Sequence, residues 1–200
     1  NTAVGYNALV YNTGTYNTAV GTQALETNTT GTNNTALGYN ALQANTTANG
    51  NTAVGNNALA SHTTGVNNSA FGSTAGDNIT TGSYNVAVGN NALTSLTTNH
   101  YNVAVGNNSQ IYATGSYNTS LGAEALEGVQ DSSTGSSNTA IGFRALEDFT
   151  TGANNAAVGY QALTSNTTGA ANTGLGNAAL ETLTTGDGNC AVGSGSLYGA

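Results

Sequence analysis

The sequence contains no proline, methionine or tryptophan, only one cysteine, and a single residue that is Lys or Arg. Charged residues make up 5% of its 200 residues, against roughly 25% in a typical soluble domain. Disordered chains of low hydrophobicity are usually rich in charge and proline. Their scarcity here argues against a disordered tail and favours ordered β-structure built largely from Asn, Thr, Ser and Gly.

The charge balance is acidic, with a formal net charge of −8. Binding to a phosphate backbone needs a cluster of Lys and Arg, which one basic residue cannot provide. We therefore expect no nucleic-acid partner. The acidic residues are scattered along the chain, which is typical of a solvated surface that keeps a β-rich protein soluble.

The single cysteine and the short apolar segments argue against a disulfide within the chain and against a membrane span. Cys190 cannot form a disulfide within the chain and occupies a repeat position that elsewhere holds mostly Thr, so we interpret it as a Thr substitute. No apolar run approaches the ~18 residues of a membrane span, and no signal-peptide pattern opens the sequence. We expect no membrane span in this segment.

The whole sequence is a tandem array of one short motif, first seen as Asn1-Thr2-Ala3-Val4-Gly5. The period is 17 residues, with two intervals of 16 and one of 20. Below, repeat positions are counted from the motif Asn as position 1. The motif recurs with its Asn at Asn17, Asn34, Asn51, Asn68, Asn85, Asn102, Asn118, Asn138, Asn155, Asn172 and Asn189.

A 17-residue unit is too short for a helical hairpin repeat, which needs about 33 residues or more, but it suits one coil of a β-solenoid. We expect an all-β fold, a parallel β-solenoid (β-roll) of about twelve coils, each with two short strands and two turns. The array is expected to run over 1–200 as a single domain and to be an excerpt of a longer fibre.

Two apolar columns are expected to form the core, one at position 4 and one at position 9. Position 4 is apolar in every repeat and position 9 is mostly Leu. Stacking of coils at about 4.8 Å would place each column in a continuous ladder. The predicted core residues are Val4, Leu9, Val20, Leu25, Leu37, Leu42, Val54, Leu59, Val88, Leu93, Val158 and Leu163.

If position 4 points inward, strand alternation points position 3 outward. Position 3 is almost always Ala, so the sequence predicts a flat outer stripe of small residues along which chains associate, as a homo-oligomer and most simply a homotrimer. The candidate chain–chain interface is Ala3, Ala19, Ala36, Ala53, Ala70, Ala87 and Ala104.

The turns are predicted from glycine, at position 5 and again in a second turn near Gly14 and its equivalents. Asn99 replaces one of the second-turn glycines. Since Asn is the next best residue at positive φ, this substitution indicates a left-handed conformation there. The Asn column and the paired threonines, such as Thr29-Thr30, are expected to form ladders that hydrogen-bond between coils.

The repeat Asn51-Thr52-Ala53-Val54-Gly55-Asn56-Asn57-Ala58-Leu59 resembles the head repeats of trimeric autotransporter adhesins and related repeats of phage tail fibres. The resemblance covers the whole chain, although the usual repeat of that family is shorter. It implies a left-handed β-roll, association of three rolls about a threefold axis, and a location outside the cell or on a virion surface.

One repeat, residues 118–137, is three residues longer than the rest. An insertion cannot enter a stacked core without breaking the ladder, so it should bulge outward as a loop. The loop is a candidate contact site for a host ligand or a cation, with Glu124, Glu127 and Asp131 as its acidic residues. The alternative is a tolerated surface insertion.

Glycosylation sequons are no more frequent than chance in so Asn- and Thr-rich a chain, but they remain candidate sites of sugar attachment. Tyr16, Tyr84, Tyr101 and Tyr117 immediately precede a motif Asn and could contact glycans of a host surface. The candidate glycosylation sites are Asn28, Asn33, Asn45, Asn67, Asn78, Asn107, Asn118 and Asn166.

Nothing in the pattern predicts an enzyme, because narrow filled coils leave no pocket for a nucleophile and its base. We expect no cofactor and no metal, since His62 and His100 lie at different repeat positions and no column is acidic. The predicted function is structural, as the stiff spacer of an extracellular adhesin or tail fibre with a possible surface-binding face. The alternative is a subunit of a self-assembling, possibly glycan-coated, extracellular filament.

Overall fold

A computed structural model describes residues 1–197 and is all-β, a parallel β-solenoid without any helix in that range. Each repeat contributes one three-residue strand at positions 2–4. The strands are β1 Thr2–Val4, β2 Thr18–Val20, β3 Thr35–Leu37, β4 Thr52–Val54, β5 Ser69–Phe71, β6 Val86–Val88, β7 Val103–Val105, β8 Thr119–Leu121, β9 Thr139–Ile141, β10 Ala156–Val158, β11 Thr173–Leu175 and β12 Cys190–Val192.

The described part of the chain divides into two compact units, one of residues 1–101 and one that begins at residue 102. In the first unit, β1 to β6 pair in chain order, and all pairs are parallel. In the second, β7 to β12 do the same. Register is kept residue for residue, as in Ala36 opposite Ala53, so every repeat position forms a straight column within its unit.

The predicted second strand of each coil is absent from residues 1–197. Positions 7 and 9 instead adopt the left-handed conformation, for example Asn57 at φ 54° and Leu59 at φ 50°. A left-handed Leu costs about 1–2 kcal/mol, and its burial offsets this by about 1.5–3 kcal/mol. The two reversals allow consecutive residues, Ala58 and Leu59, to point inward together, which an extended strand cannot do.

Each coil is closed by its motif Asn, which is buried in all but the first and last coils. The Nδ2 group of Asn51 donates to the carbonyl of Gly65, 3.0 Å away at the second turn of the same coil. Its Oδ1 accepts the backbone N–H of Asn68 in the next coil at 2.9 Å. The same two bonds recur in the second unit, as in Asn155, which donates to Gly169 and accepts from Asn172. One side chain thus joins both ends of a coil and the coil that follows it.

The predicted ladder of Asn residues is therefore confirmed, and a ladder of Thr residues runs beside it. The hydroxyl of Thr29 donates to the carbonyl of Thr46, and that of Thr63 donates to Thr80. Both bonds are 3.0 Å long and both connect neighbouring coils.

The position-9 half of the predicted core is confirmed. Leu25, Leu42, Leu59, Leu93 and Leu163 are fully buried. Leu9, in the first coil, is only half-buried.

The position-4 half of the predicted core is wrong. Val4 and Leu37 are exposed, to 58% and 47%, and Val20, Val54, Val88 and Val158 are only half-buried. The candidate interface at position 3 is wrong for the same reason, because Ala19, Ala36, Ala53, Ala70, Ala87 and Ala104 form the buried side of the strand. Only Ala3, in the terminal strand, is exposed.

The width of the coil explains why alanine points inward and valine outward. Gly174 occupies position 3 in β11, and a Cβ placed there would lie 3.3 Å from Cγ of Leu163 and 3.1 Å from the carbonyl oxygen of Ala179. A methyl group just fills this space, and a branched side chain would collide with the buried Leu column. The core is thus built of Ala from the strand and Ala-Leu from the opposite turn.

Glycine is favoured in both turns, but for different reasons, and Ala48 and Asn99 replace it in the second turn of two coils. Gly55, at position 5, has φ 137°, a region that L side chains rarely adopt. Gly14, in the second turn, is not at positive φ; a Cβ there would lie 2.0 Å from the carbonyl oxygen of Gly31 in the next coil. The left-handed second turn predicted from Asn99 is therefore wrong, since close stacking of backbones selects glycine at that turn.

His62 replaces the buried Asn of position 12 and keeps its place in the turn. Its Nε2 lies 2.8 Å from the carbonyl of Gly65 and its Nδ1 lies 3.2 Å from the carbonyl of Ile79. A neutral imidazole has one N–H and can satisfy only one of these carbonyls. Burial lowers the pKa of His62 from its ordinary value of 6.5, and the two carbonyl contacts oppose that lowering only in part.

A first prediction concerns strand orientation. Ala53→Glu places an unpaired charge in the filled core and should lower the free energy of unfolding by more than about 3 kcal/mol, if the variant folds at all. The neighbouring Thr52→Glu adds the same charge on the outer side of the strand and should cost less than about 1 kcal/mol. Urea titrations followed by circular dichroism compare the two. Equal losses would contradict the inward orientation of Ala53.

A second prediction concerns His62. Because its pKa is lower in the folded state than the unfolded value of about 6.5, stability should fall as pH drops below that value. His62→Asn restores the repeat residue and removes the titration. Urea midpoints of parent and variant should therefore diverge from pH 8 to pH 5, with the variant gaining relative stability in acid. A difference that is the same at both pH values would contradict this assignment.

Candidate functional site

Residues 1–197 enclose no pocket. The same residues contain no helix of the length and hydrophobicity needed to cross a membrane. Two surface features depart from the monotony of the coils. They are the loop of the long repeat and the outer side of the strands.

The loop of the long repeat bulges outward, as the insertion predicted. Val129, Gln130, Asp131 and Ser132 are all exposed. Ser133 fixes the base of the loop, because its hydroxyl accepts the N–H of Val129 and donates to the carbonyl of Phe149, both at 2.6 Å. The buried ring of Phe149 fills the coil beneath it.

Only two of the three acidic residues predicted for the loop come together. Glu124 and Glu127 meet Glu147 of the next coil, and one carboxylate oxygen from each lies within 4.8 Å of the others. Asp131 is exposed and lies outside this group. We refer to Glu124, Glu127 and Glu147, together with Arg144, as the carboxylate cluster.

Arg144 partly neutralises the carboxylate cluster. Its Nε bonds Oε2 of Glu124 at 2.6 Å and lies 3.4 Å from Oε1 of Glu147. The guanidinium also lies 5.0 Å from the centre of the Phe143 ring, which orients it by a cation–π contact. Three carboxylates in this arrangement could ligate a divalent cation, but the arginine already bonds two of them.

Burial raises the pKa of Glu127, and the nearby charges of Glu124 and Glu147 raise it further, while Arg144 lowers it. Burial likewise raises the pKa of Glu147 against the opposing effect of Arg144. Sequence inspection missed Arg144 and Glu147 as members of this group. The 20-residue spacing of Glu124 and Arg144, which equals the length of the long repeat, is the signal that places both at position 7 of adjacent coils.

The second feature is the outer sheet face, defined as positions 2 and 4 of each strand. Position 2 is mostly Thr and position 4 is Val, Leu, Ile or Phe. Val4 and Val192, in the first and last strands, are exposed to 58% and 67%. In the strands between them the larger position-4 residues are the more exposed, with Leu37, Phe71, Leu121 and Leu175 at between 43% and 50%. None of the 24 residues on these faces is charged, in a chain of net charge −8.

The tyrosines before the motif Asn lie on the surface in a left-handed conformation, as in Tyr16 at φ 60° and Tyr117 at φ 62°. Tyr84 and Tyr101 stack on each other, with ring centres 5.0 Å apart and planes 2° from parallel. Because each ring covers one face of the other, this pair offers fewer ring faces for a sugar than two separate tyrosines would.

The eight sequons fall into two groups. Asn33, Asn67, Asn78 and Asn107 are exposed. The predicted sites Asn28, Asn45, Asn118 and Asn166 are wrong for a folded coil, because all four side chains are fully buried. Asn118, for example, donates to the carbonyl of Gly135 at 3.0 Å and accepts from the backbone of Asn138.

Comparison with protein-family models, with curated proteins and with solved structures gave no match to this chain.

A third prediction concerns the carboxylate cluster. A raised folded-state pKa means that the carboxyl contributes stability below its unfolded pKa and that this contribution is lost as pH rises through the folded value. Glu127→Gln should therefore raise the urea midpoint at pH 7 more than at pH 4.

Arg144→Gln should have the opposite effect, because it removes the positive charge beside the three carboxylates. We expect it to lower the urea midpoint more at pH 7 than at pH 4. If both variants shift the midpoint in the same direction at pH 7, the cluster does not have the electrostatics described above.

Proposed function

We propose that this chain is a structural segment of an extracellular fibre of the adhesin or phage tail-fibre type, in which the solenoid is a stiff spacer. The observation that carries the proposal is the unbroken Asn ladder within each unit. A side chain that bonds its own coil and the next one resists both bending and opening of the stack. A filled core without a pocket in the described range leaves the surface as the place of any function.

We further propose that copies associate through the outer sheet face, as a homotrimer. This replaces the position-3 stripe, which is buried. An uncharged face of Thr and aliphatic residues on a chain of net charge −8 is the part of the surface that a second copy can approach without charge repulsion. Val, Leu and Phe side chains that stand more than a third exposed gain from being covered.

The size of this face determines what association requires. Six strands at about 4.8 Å and three residues at about 3.3 Å give a flat area of about 290 Å² per unit. Stable interfaces bury about 800 Å² on each partner. The outer face of one unit is therefore too small by itself, and the proposed interface must also include side chains beside the strands.

The exposed loop at Val129–Ser132 is the proposed place for contact with a host ligand, because it interrupts an otherwise uniform surface. Exposed tyrosines such as Tyr16 and Tyr117 are the proposed contacts for surface glycans. Both are side functions of the spacer and depend on its location outside the cell, which is part of the proposal.

A fourth prediction tests the interface. The full chain should scatter light as three copies of 19.7 kDa, and 3 × 19.7 is 59.1 kDa. Leu37→Asp with Leu121→Asp places one charge on the outer face of each unit and should shift the mass to that of the monomer, with unchanged circular dichroism.

The control carries the same added charge elsewhere. Asn78→Asp with Gln130→Glu changes one exposed residue in each unit away from the outer face, and it should leave the trimer intact. A parent that is monomeric would refute the interface. A parent that forms long polymers, unaffected by the Leu37 and Leu121 changes, would favour the end-to-end filament.

A further inference from the structure

Three core positions break the repeat pattern together at the junction of β7 and β8. Position 8 is Ala in most coils but Ser109 here, position 9 is Leu in most coils but Gln110, and position 3 is Ala in most coils but Ser120. All three residues are fully buried. Ser109 and Gln110 belong to one coil, and Ser120 belongs to the next.

The three side chains bond one another across the two coils. The hydroxyls of Ser109 and Ser120 are 2.5 Å apart, and Nε2 of Gln110 donates to the hydroxyl of Ser120 at 2.8 Å. The same Nε2 donates to the carbonyl of Val103 at 2.8 Å. We refer to Ser109, Gln110 and Ser120 as the polar core cluster.

A repeat array has a problem that a non-repeating sequence does not have. Since the columns are nearly identical, a coil meets almost the same partner surface whether it docks on the next coil or on the one after. Docking on the wrong coil leaves out a loop of one repeat, and the entropy cost of closing a loop rises only slowly with its length. Hydrophobic pattern alone therefore specifies register weakly during folding.

The polar core cluster removes this ambiguity at one junction. If the coil of β7 docks on that of β9 in place of β8, Ala140 stands where Ser120 should be, and Ser109 and Gln110 lose their shared partner. Gln110 keeps its bond to the carbonyl of Val103 in its own coil, so what is lost is one hydrogen bond from each of Ser109 and Gln110 to Ser120. Each lost bond disfavours the wrong neighbour by about fivefold, and the two together by about 30-fold.

A second exception at position 9, Gly76, shows that a departure from the repeat does not always favour one particular coil as the stacking partner. Gly76 replaces the Leu of position 9, and the space is filled by Ile79 of its own coil. A Cβ at Gly76 would lie 2.9 Å from Cδ1 of Ile79 and 3.0 Å from Leu59. This compensation is apolar, and it would fit equally well against the Leu of almost any coil.

We propose that the polar core cluster is a register lock, which makes the coil of β8 the one accepted neighbour of the coil of β7 while the second unit folds. Its role is specificity of pairing, with stability as a secondary effect. Buried polar groups fix register in the same way in coiled coils, where an apolar replacement is more stable and less specific.

The test uses the full chain with Cys190→Ser as background and disulfides as reporters of register. Val105 and Leu121 are direct partners in β7 and β8, so cysteines there are about 4.8 Å apart and can cross-link. Val105 and Ile141 are two strands apart, about 9.6 Å, and can cross-link only after a one-coil slip. Each pair is introduced separately, the chain is refolded from urea, and oxidation pulses are analysed by peptide mass spectrometry.

With the cluster intact, the Val105–Leu121 cross-link should form and the Val105–Ile141 cross-link should stay at trace level. Replacing the cluster by the repeat residues, Ser109→Ala with Gln110→Leu and Ser120→Ala, should increase the slipped cross-link about 30-fold in early pulses while the urea midpoint stays equal or rises. Ser196→Ala, the same change at position 8 of the last coil, should leave both cross-links as they are.

Two results would overturn the proposal. One is a triple variant that refolds with no more slipped cross-link than the parent. The other comes from Ser120→Ala alone, which strands Ser109 and Gln110 and should lower the urea midpoint below that of the triple variant. Equal midpoints for these two variants would show that the bonds of the cluster do not couple the coils.

Discussion

The structure depends on the bond pair made by one buried asparagine in each coil. Ordering a coil of 17 residues costs conformational entropy, and one coil buries too little apolar surface to offset that cost. The Nδ2 group of Asn34 closes its coil on the carbonyl of Ala48, and its Oδ1 accepts the N–H of Asn51 in the next. One side chain therefore serves both closure and stacking, and an isolated repeat lacks the next coil that donates the stacking bond.

The narrow cross-section follows from this closure, and it sorts the side chains by size. Between the strand and the opposite turn there is room for the Ala-Leu pair of positions 8 and 9 and for one methyl group from position 3. Valine and the larger residues of position 4 are left outside. An apolar outer face is thus a consequence of how tightly the coil closes, and it is the face through which we propose that copies associate.

Much of this architecture could be predicted from the sequence. The 17-residue period, the parallel stacking, the buried Leu column, the Asn and Thr ladders and the outward loop at Val129–Ser132 all follow from pattern. The side of the strand that faces the core did not follow from the pattern. Val54 is more hydrophobic than Ala53, so an argument from strand alternation that ignores side-chain size places Val54 inside. The reversal at Asn57 and Leu59 was also hidden, since leucine gives no sign of a left-handed conformation in sequence. The pairing of Glu124 with Arg144 was also not predicted. It could be recognised only once the conformation of the turn showed which repeat positions are neighbours in adjacent coils.

Exceptions to a repeat are informative because each must be accommodated by its surroundings, and the manner of accommodation differs. Gly76 is filled by Ile79 of its own coil. His62 takes over the turn contact of the asparagine it replaces and also faces a carbonyl of the next coil, and a neutral ring can donate to only one of the two. The amide nitrogen of Gln110 donates to Val103 in its own coil and also to Ser120, which belongs to a different coil. A departure that is accommodated within its own coil does not affect which coils stack on each other. A departure that is accommodated by a neighbouring coil makes those two coils different from the rest. In a chain of near-identical units, such differences can encode the order of coils along the stack.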